Sequence, residues 1–254
     1  GPATSRKGTV FNVKTGNWIN EQDNLGLRAQ LLWKPSDALE ALLQGDYSTQ
    51  DPECCAQVYV RTGATQRALS RQYAALAAAQ GYAVPSTNAF YRVTDVVAYL
   101  NAANKIGGVN LRVKWDLGPG SLTSVTAWRF WDWKPANDRD FTGLPITTLS
   151  QNPSQQDQWT QEFRYAQSGD RLDFVAGLFA FQQKVRTQGT QRQGPAASKW
   201  LLTPGSALAN DPSVLDGLTA RNDMRLDNTS LALFGQLSWK LSDALTVQPG
   251  LRVN

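Results

Sequence analysis

The stretch WKPSDAL, Trp33–Leu39, recurs with a single change as WKLSDAL at Trp239–Leu245. A tandem domain repeat would copy tens of residues, and the sequence between the two copies shows no such period. The middle of each copy, Pro-Ser-Asp-Ala or Leu-Ser-Asp-Ala, has the chemistry of a turn. The phrase therefore predicts one local structure at two places, the tight turn of a β-hairpin with a tryptophan closing the strand before it.

Apolar and polar residues alternate on both sides of each copy, which is the side-chain period of a β-strand. Around the first copy the apolar series is Leu25, Leu27, Ala29, Leu31, Trp33, then Leu39, Ala41, Leu43, Gly45, Tyr47. Before the second copy it is Leu231, Leu233, Gly235, Leu237, Trp239. Each hairpin is thus predicted to be apolar on one face only.

The composition excludes several classes of protein. The 254 residues carry a net charge of +4 with scattered basic residues, which does not suggest a nucleic-acid partner. No apolar run approaches the roughly 18 residues of a membrane helix, but a membrane barrel remains possible because its strands are apolar on one side only. The sequence has 9 tryptophans, many for its length.

The chain contains no histidine, so Ser-His-Asp and Cys-His catalysis are excluded. The commonest transition-metal ligand and the usual axial ligand of haem are missing as well. No nucleophile–base pair, phosphate-binding glycine loop or metal cluster stands out. We therefore expect no enzyme activity and no bound metal or cofactor.

Cys54 and Cys55 are adjacent and cannot join distant segments. One interpretation is a loop pair, either oxidised to a vicinal disulfide or left as thiols. The alternative is capture of a ligand or metal in a binding loop.

Alternation and turn signals predict nine strands. They run approximately over Thr9–Val13, Asn24–Lys34, Leu39–Ser48, Val109–Trp115, Ser121–Phe130, Trp159–Ala166, Leu172–Phe181, Ser230–Trp239 and Leu245–Asn254. In Ser121–Phe130 the pattern does not decide which side faces out. Between the third and fourth strands, the alanine-rich stretch Thr65–Gln80 predicts a short helix packed within a loop.

The connections between these strands alternate in length. Short turns are predicted near residues 35–38, 117–120, 167–170 and 241–244, and longer loops near 14–23, 49–105, 132–157 and 183–227. Since alternate connections of an up-and-down sheet lie at opposite ends, all short turns share one side. The sequence therefore predicts an all-β, antiparallel, up-and-down transmembrane β-barrel, with short turns on one side and long extracellular loops on the other.

Three tryptophans, Trp33, Trp115 and Trp239, each precede a short turn. At a common level they would form an aromatic girdle at one membrane interface. The alternative is that they are buried in a soluble β-sandwich.

Four stretches, in this order, resemble the barrel region of TonB-dependent outer-membrane receptors. They are NLGLRAQLLWKPSDALEALLQGDYS (24–48), SLTSVTAWRFWDW (121–133) with NDRDFTGL (137–144), QWTQEFRYAQSGDRLDFVAGLFAF (158–181), and NTSLALFGQLSWKLSDALTVQPGLRVN (228–254). The resemblance implies a bacterial outer-membrane receptor with a twenty-two-stranded barrel and an internal plug. It also implies a TonB energy-coupling complex as partner and uptake of a scarce bulky nutrient, most often a ferric siderophore.

The chain departs from that plan because only about nine strands and no plug are found. We therefore expect residues 1–254 to be part of a receptor barrel, in contact with outer-membrane lipid. Two alternatives remain open, a small porin-like outer-membrane barrel and a soluble carbohydrate-binding β-sandwich.

Two sets of residues are candidates for ligand contact. Lumen-facing positions are Arg28, Gln30, Gln44, Asp46, Arg112, Glu162 and Arg164, which ordinary wall lining also explains. In the loop that follows Phe130, Trp131, Trp133, Arg139 and Asp140 are candidates for binding an anionic ferric chelate, the alternative being a loop held by its own ion pairs. On the barrel hypothesis, Leu233→Arg blocks membrane assembly whereas Ala232→Arg, on the opposite face, is tolerated.

Overall fold

A computed structural model describes residues 3–254, so Gly1 and Pro2, which fall within the predicted barrel domain, lie outside the described residues. Two short α-helices, α1 (Tyr73–Ala79) and α2 (Ala197–Leu201), accompany the strands of this part of the chain. The strands are β1 (Ala3–Arg6), β2 (Val10–Asn12), β3 (Asn17–Ile19), β4 (Gln22–Ser36), β5 (Leu39–Gln50), β6 (Val93–Thr94), β7 (Asn101–Asp116), β8 (Ser121–Ala136), β9 (Thr147–Gln151), β10 (Ser154–Gln167), β11 (Leu172–Gln193), β12 (Thr219–Ser242), β13 (Leu245–Val247) and β14 (Gly250–Val253).

One antiparallel sheet of 11 strands dominates the molecule. Its path is β1-β4-β5-β7-β8-β10-β11-β12-β13, with β14 also paired to β12 and β9 to β11 and β8. The connections alternate as predicted: the short turns follow β4, β7, β10 and β12, and the long connections follow β1, β5, β8 and β11. This confirms the expectation of short turns at one end of the sheet and long loops at the other.

The two copies of the repeated phrase adopt the same hairpin. In the first, Ser36 pairs with Leu39 and Trp33 with Ala41. In the second, Ser242 pairs with Leu245 and Trp239 with Val247. Each hairpin has a two-residue turn, Asp37-Ala38 or Asp243-Ala244, and each has a register shift between the tryptophan and the turn.

The predicted first strand, Thr9–Val13, is wrong as a strand of the main sheet. Its residues form β2, which belongs to a separate sheet of 3 strands in the order β3-β2-β6. The reason is burial: Val10 and Ile19 pack against Ala56, Val96 and Leu100 in the long-loop region. The outer position in the main sheet is instead taken by β1, which pairs with β4.

The strands extend further into the long-loop side than the apolar alternation indicated. The predicted loop 132–157 contains the end of β8, all of β9 and the start of β10, and the predicted loop 183–227 begins and ends inside β11 and β12. The register of β11 and β12 runs without interruption from Leu172↔Trp239 to Arg192↔Thr219. Because the apolar face carries polar and charged residues beyond Gln182, the hydrophobic pattern stops there while the backbone ladder continues.

Residues on opposite faces of the main sheet differ sharply in character. Since residues paired across strands share a face, the register groups Trp33, Trp115 and Trp239 on one face, here named the apolar face. Its other members include Leu27, Leu43, Leu111, Phe163, Leu178 and Leu233. The opposite, polar face carries the alternate residues of each strand.

The apolar face is exposed, with Trp33 59%, Leu233 59% and Leu231 69% accessible. A soluble β-sandwich would bury such a face against a second sheet, so the sandwich alternative is wrong. A complete porin-like barrel is also not what the chain forms, because β1 and β13 lie at opposite ends of the path within residues 3–254.

The apolar face is limited at both ends. Trp33, Trp115 and Trp239 lie at the short-turn end, and Tyr47, Trp128, Phe130 and Trp159 lie towards the long loops. One step beyond the second aromatic group, charged residues occupy apolar-face positions on six strands: Asp23, Lys105, Asp132, Asp157, Lys184 and Asp227. The interval along each strand matches the roughly 9–11 residues that a tilted strand needs to cross a membrane.

The buried core lies among the long connections and not against the sheet. The largest fully buried side chains are Ile19, Ile146, Val96, Thr94, Thr142, Asp138 and Ser198. The buried apolar side chains form two clusters, one of Val10, Ile19, Ala56, Val96 and Leu100, the other of Ile146, Ala196 and Ala197 with Trp200 packed against it. The long loops therefore form a packed layer of their own.

Helical structure is confined to that layer. The predicted helix Thr65–Gln80 is present over Tyr73–Ala79, preceded by a 3₁₀ turn at Leu69–Arg71. No helix among residues 3–254 has the length and hydropathy to cross a membrane.

Candidate functional site

All seven residues predicted to face the lumen lie on the polar face. Arg28 pairs with Asp46 and Gln30 with Gln44, while Arg112 and Glu162 both pair with Val125. Arg164 is two residues from Glu162 on the same strand and shares its face. The structure therefore brings the set together on one surface, opposite the face that carries the three tryptophans.

Charged residues of the polar face are held in ion pairs. Glu40 accepts from Lys34 at 2.9 Å and from Arg112 at 3.0 Å, so it joins β4, β5 and β7 near the short turns. Nearer the middle of the sheet, Arg129 of β8 contacts Asp46 of β5 at 2.5 Å. Arg164 and Glu162 approach to 3.9 Å. The first two pairs join neighbouring strands, the Arg129–Asp46 pair reaches across β7, and the last lies within β10. They support the wall-lining interpretation of Asp46, Arg112, Glu162 and Arg164.

Sequence reasoning missed Arg129. The signal was weak because β8 alternates Ser, Thr and Ala with aromatic residues and does not reveal its orientation. The register with β7 resolves this ambiguity, since it places Trp128 opposite Val109 on the apolar face and Arg129 opposite Gly108 on the polar face.

Trp131 and Trp133 form a stacked pair on the polar face at the long-loop end of β8. Their ring centroids are 5.6 Å apart with an interplanar angle of 17°. The Trp131 indole nitrogen donates to the side-chain oxygen of Asn104 at 2.6 Å. The hydrogen bond fixes the orientation of one ring, so the pair offers a flat, preorganised surface for a planar or aromatic ligand.

Arg139 and Asp140 are not brought into this pair. Arg139 is exposed and lines a separate cavity of about 210 Å³ with Ser150–Asn152, Gly189–Gln191 and Ala220–Asn222. Asp140 accepts hydrogen bonds from Thr142 through both its amide and its hydroxyl, and from the Thr147 amide at 2.9 Å. Asp140 thus organises the loop between β8 and β9, and its oxygens are already engaged.

Backbone amides and not ion pairs hold this loop. Asp138, 1% exposed, accepts from the amides of Phe141 at 2.9 Å, Asp140 at 3.1 Å and Val97 at 3.4 Å. Burial and the neighbouring Asp140 charge raise the pKa of Asp138 to about 6, against the hydrogen bonds from the Phe141 and Asp140 amides, which lower it. None of the six ion pairs formed within residues 3–254 involves residues 134–148, so the ion-pair interpretation of this loop is wrong.

The segment that follows β5 docks onto the same loop through Tyr82. Its hydroxyl donates to Asp95 at 2.9 Å and accepts from the Gly143 amide at 3.2 Å. Tyr59 contacts both the Tyr82 hydroxyl and the Phe141 carbonyl. Burial raises the pKa of Tyr82, so its phenol stays protonated and donates. Burial also raises the pKa of Asp95, and the hydrogen bond from Tyr82 opposes that rise.

A cavity of about 300 Å³ opens beside this contact. Tyr59, Tyr73, Tyr82, Arg61, Ala77 and Val84 contribute to its lining. The Tyr73 hydroxyl is buried and has no hydrogen-bond partner. Phenols, one guanidinium and small apolar side chains make this a cavity suited to a ligand with oxygen donors and some apolar surface.

Cys54 and Cys55 form a disulfide in the long-loop layer. Asn20, at the end of β3, anchors the segment through its side-chain amide, which donates to the Ala56 carbonyl at 2.9 Å and accepts from the Ala56 amide at 2.8 Å. No group of three His, Cys, Asp or Glu side chains in the described part of the chain is placed to hold a metal ion.

Comparisons with known proteins support the fold alone. No family model matches the chain, and no curated protein matches it. Among solved structures, the chain is similar to the ferric yersiniabactin uptake receptor FyuA from Yersinia pestis, with a TM-score of 0.65 and 15% sequence identity. The similarity covers 98% of this chain and 32% of that receptor, so the chain spans about a third of its length. The fold thus resembles part of an outer-membrane β-barrel receptor.

Proposed function

We propose that the chain is part of the barrel wall and ligand-collecting loops of a bacterial outer-membrane receptor of the TonB-dependent type. In this proposal it binds and imports a scarce, bulky nutrient, a ferric siderophore being the best candidate, without covalent catalysis. The observation that carries the proposal is the exposed apolar face. Aromatic residues border it at both ends, and at the long-loop end charged residues follow them at corresponding positions on neighbouring strands. It implies a lipid environment for the sheet and an aqueous one for the long-loop layer.

The proposal includes further strands that continue the sheet at β1 and at β13. Backbone N–H and C=O groups at an open sheet edge have no hydrogen-bond partner in lipid, which is energetically unfavourable. Closure of the barrel removes such edges. Residues 1–254 would accordingly be one portion of a larger, 22-stranded type of barrel, and TonB coupling would act through other parts of the receptor.

Membrane placement is tested with two arginine substitutions on β12. Leu233 lies on the apolar face near the middle of its strand, so Leu233→Arg should oppose assembly by about 2–4 kcal/mol. Ala232, on the opposite face, is unsuitable as the control, because it is only 5% exposed and an arginine would be forced into packed surroundings. Gln236, exposed on the polar face of the same strand, is the matched control.

Assembly into lipid vesicles, followed by the resistance of the folded barrel to protease, reports the result. Leu233→Arg should lower the assembled fraction, while Gln236→Arg should assemble like the unmodified protein. Equal assembly of all three would show that the apolar face does not meet lipid.

For the ligand, the Trp131–Trp133 pair, Arg139 and the tyrosine-lined cavity are the proposed contacts, with Asp140 shaping the loop. Trp131→Ala and Trp133→Ala should weaken binding of a ferric chelate, each by about 1–2 kcal/mol for a lost aromatic contact. Trp128→Ala, on the apolar face of the same strand, is the control. Fluorescence titration with a panel of ferric chelates measures the effect. Equal losses of affinity in all three variants would contradict the assignment of Trp131 and Trp133 as ligand contacts.

A further inference from the structure

Three phenol groups converge beside the cavity of about 300 Å³ in the long-loop layer. The Tyr59 and Tyr82 hydroxyl oxygens are 3.3 Å apart. Burial raises the pKa of Tyr73, and the Tyr59 and Tyr82 hydroxyls oppose that rise, which places the third phenol next to the other two. An edge-to-face contact with Trp200, with ring centroids 5.6 Å apart, fixes the Tyr73 ring. The three hydroxyls therefore form one cluster in the cavity wall.

The Asp95 carboxylate adjoins this cluster. Its Oδ2 atom accepts from the Tyr82 hydroxyl at 2.9 Å. Its Oδ1 atom is shielded from solvent without a hydrogen-bond partner among residues 3–254, and the same is true of the Tyr73 hydroxyl. Asp95 is only 3% exposed, and a buried carboxylate oxygen without a donor is energetically unfavourable. The cluster thus has two buried oxygens with the capacity to bind a further group.

The available ligands are all oxygen atoms. They are the three phenols, the carboxylate and the Phe141 carbonyl, which the Tyr59 hydroxyl contacts. The chain has no histidine, and Cys54 and Cys55 are joined in a disulfide. The imidazole and thiolate ligands that zinc and copper favour are therefore not supplied.

The phenols select for a cation of high charge. Burial raises the pKa of Tyr59 and of Tyr82, so both are neutral until a cation displaces the proton. Ca²⁺ and Mg²⁺ bind chiefly carboxylates, carbonyls and waters, and the cluster has a single carboxylate. A tyrosine oxygen is an iron ligand in proteins, and a trivalent ion is better able to replace a phenolic proton than a divalent one.

We propose that these four side chains bind a ferric ion directly, through three phenolate oxygens and the Asp95 carboxylate. The ion is transferred from a weak chelator and stays ferric throughout. Its bonds to the chelator oxygens break, bonds to the protein oxygens form, and each phenol releases its proton to solvent. The four ligands carry four negative charges, which the ferric ion and Arg61, in the cavity lining, together balance.

The oxygen spacings suit octahedral ligation. Around a small octahedral ion, with bonds of about 2.0–2.1 Å, neighbouring ligand oxygens lie about 2.9 Å apart. The Tyr82 hydroxyl lies 2.9 Å from the Asp95 carboxylate and 3.3 Å from the Tyr59 hydroxyl. Binding therefore requires only small movements of these side chains. The inference rests on the proposed function for its cargo and adds direct ligation of the metal by the receptor.

Tyr73→Phe is the sharpest test, because it removes an oxygen that makes no hydrogen bond and should leave the fold unchanged. Ferric nitrilotriacetate is titrated into the protein, and the visible charge-transfer absorption of iron-bound phenolate is followed. The unmodified protein should show this band. Tyr73→Phe and Asp95→Asn should each lower the ferric affinity by at least about tenfold. Tyr91→Phe is the matched control, since Tyr91 is 67% exposed and lies outside the cavity lining.

Competition with other cations tests the selection for charge. Gallium(III), which has the same charge as the ferric ion and no redox chemistry under these conditions, should displace the iron and abolish the band. An excess of Ca²⁺ or Zn²⁺ should leave the band in place. Displacement by either divalent ion would overturn the assignment to a ferric ion.

The outcomes separate this inference from the proposed function. A ferric chelate that binds without the charge-transfer band would overturn direct ligation and leave receptor function standing. An unchanged affinity in Tyr73→Phe, or an equal loss in Tyr91→Phe, would also overturn it, since the iron would then be held elsewhere. Equal assembly of Leu233→Arg would overturn the membrane placement and not this site, which lies in the long-loop layer.

Discussion

Asp138 shows how a single residue can make the long-loop layer sensitive to pH. Its pKa is raised from 3.8 to about 6 because the carboxylate is buried beside Asp140. A carboxyl whose folded pKa lies above its unfolded value stabilises the folded state fully below the unfolded pKa, and this contribution is lost as pH rises through the folded pKa. Docking of the loop should therefore weaken from about pH 4 to about pH 6, by up to about 3 kcal/mol.

The pH effect is measured by hydrogen exchange at the Val97 and Phe141 amides across that range. Asp138→Asn removes the charge and keeps an oxygen for the Asp140 and Phe141 amides, so the variant should show a much flatter profile. Asp95 and Asp140 also have raised pKa values and would leave a residual slope of the same sign. A profile as steep as that of the unmodified protein would show that another group controls docking.

Gly143 is the second residue on which the layer depends. A Cβ at this position would collide with the Asp95 carboxylate, which is held there by Tyr82. Gly143→Ala should accordingly destabilise the docked loop by about 1–3 kcal/mol, the usual cost of overpacking.

Limited proteolysis of residues 51–100 reports this loss of docking. Gly63→Ala is the matched control, because a Cβ at Gly63 would meet nothing within 4 Å. Faster cleavage of the Gly143 variant alone is the expected result, and identical cleavage of both variants would show that the close approach is unimportant.

At the scale of the element, the repeated phrase encodes a hairpin with a register shift before its turn. Either proline or leucine can occupy the position inside this shift. Pro35 and Leu241 are the differing residues, and each falls inside the register shift that precedes the turn. Pro35→Leu should therefore change stability by less than about 0.5 kcal/mol. Leu42→Pro should disrupt the sheet, because Leu42 lies in β5 between Leu32 and Arg112 on its two neighbouring strands.

The assembled fraction in vesicles and the thermal unfolding of each variant check this pair of expectations. A large loss in Pro35→Leu would mean that the proline itself, and not the shared turn residues, determines the first hairpin.

Element boundaries were predictable only where one face met an apolar environment. Trp159–Ala166, which alternates, and Leu172–Phe181, which is a largely apolar run after a turn, were both placed correctly as strands. Lys184 and Asp227 were assigned to a loop, yet they pair directly in the ladder of β11 and β12. Hydrogen bonding between backbones does not require an alternating pattern, so polar extensions of a strand leave no signal in a single sequence.

At the scale of the whole molecule, the two faces should alternate in phase along all the strands of the main sheet. Nitroxide labels at Leu111→Cys and Asn110→Cys test this on β7. The label at position 111 should be accessible to oxygen dissolved in lipid, and the label at position 110 to a water-soluble nickel complex. Cys54 and Cys55 do not compete for the label, because they are joined in a disulfide.

A label at Lys105→Cys marks the proposed boundary of the lipid, and its oxygen accessibility should fall well below that at position 111. Equal nickel accessibility at positions 105, 110 and 111 would contradict the membrane placement.

The sequence by itself determined the class of fold and the two-ended layout. Strand alternation, turn chemistry and loop length are local properties, so they can be recognised without knowing which segments contact each other. The same is true of the residues assigned to the polar face, which follow from a period of two.

Only the tertiary structure decided what the long loops do and which charges meet. The sequence pattern placed Val10 in a first strand and Ile19 in the loop near residues 14–23, but packing with Val96 and Leu100 makes both part of a core for the loop layer. Likewise, Asp46 and Arg129 form an ion pair across more than 80 residues of sequence because β7 separates their strands by one position. Such contacts depend on packing between distant segments, and a single sequence carries no direct record of that packing.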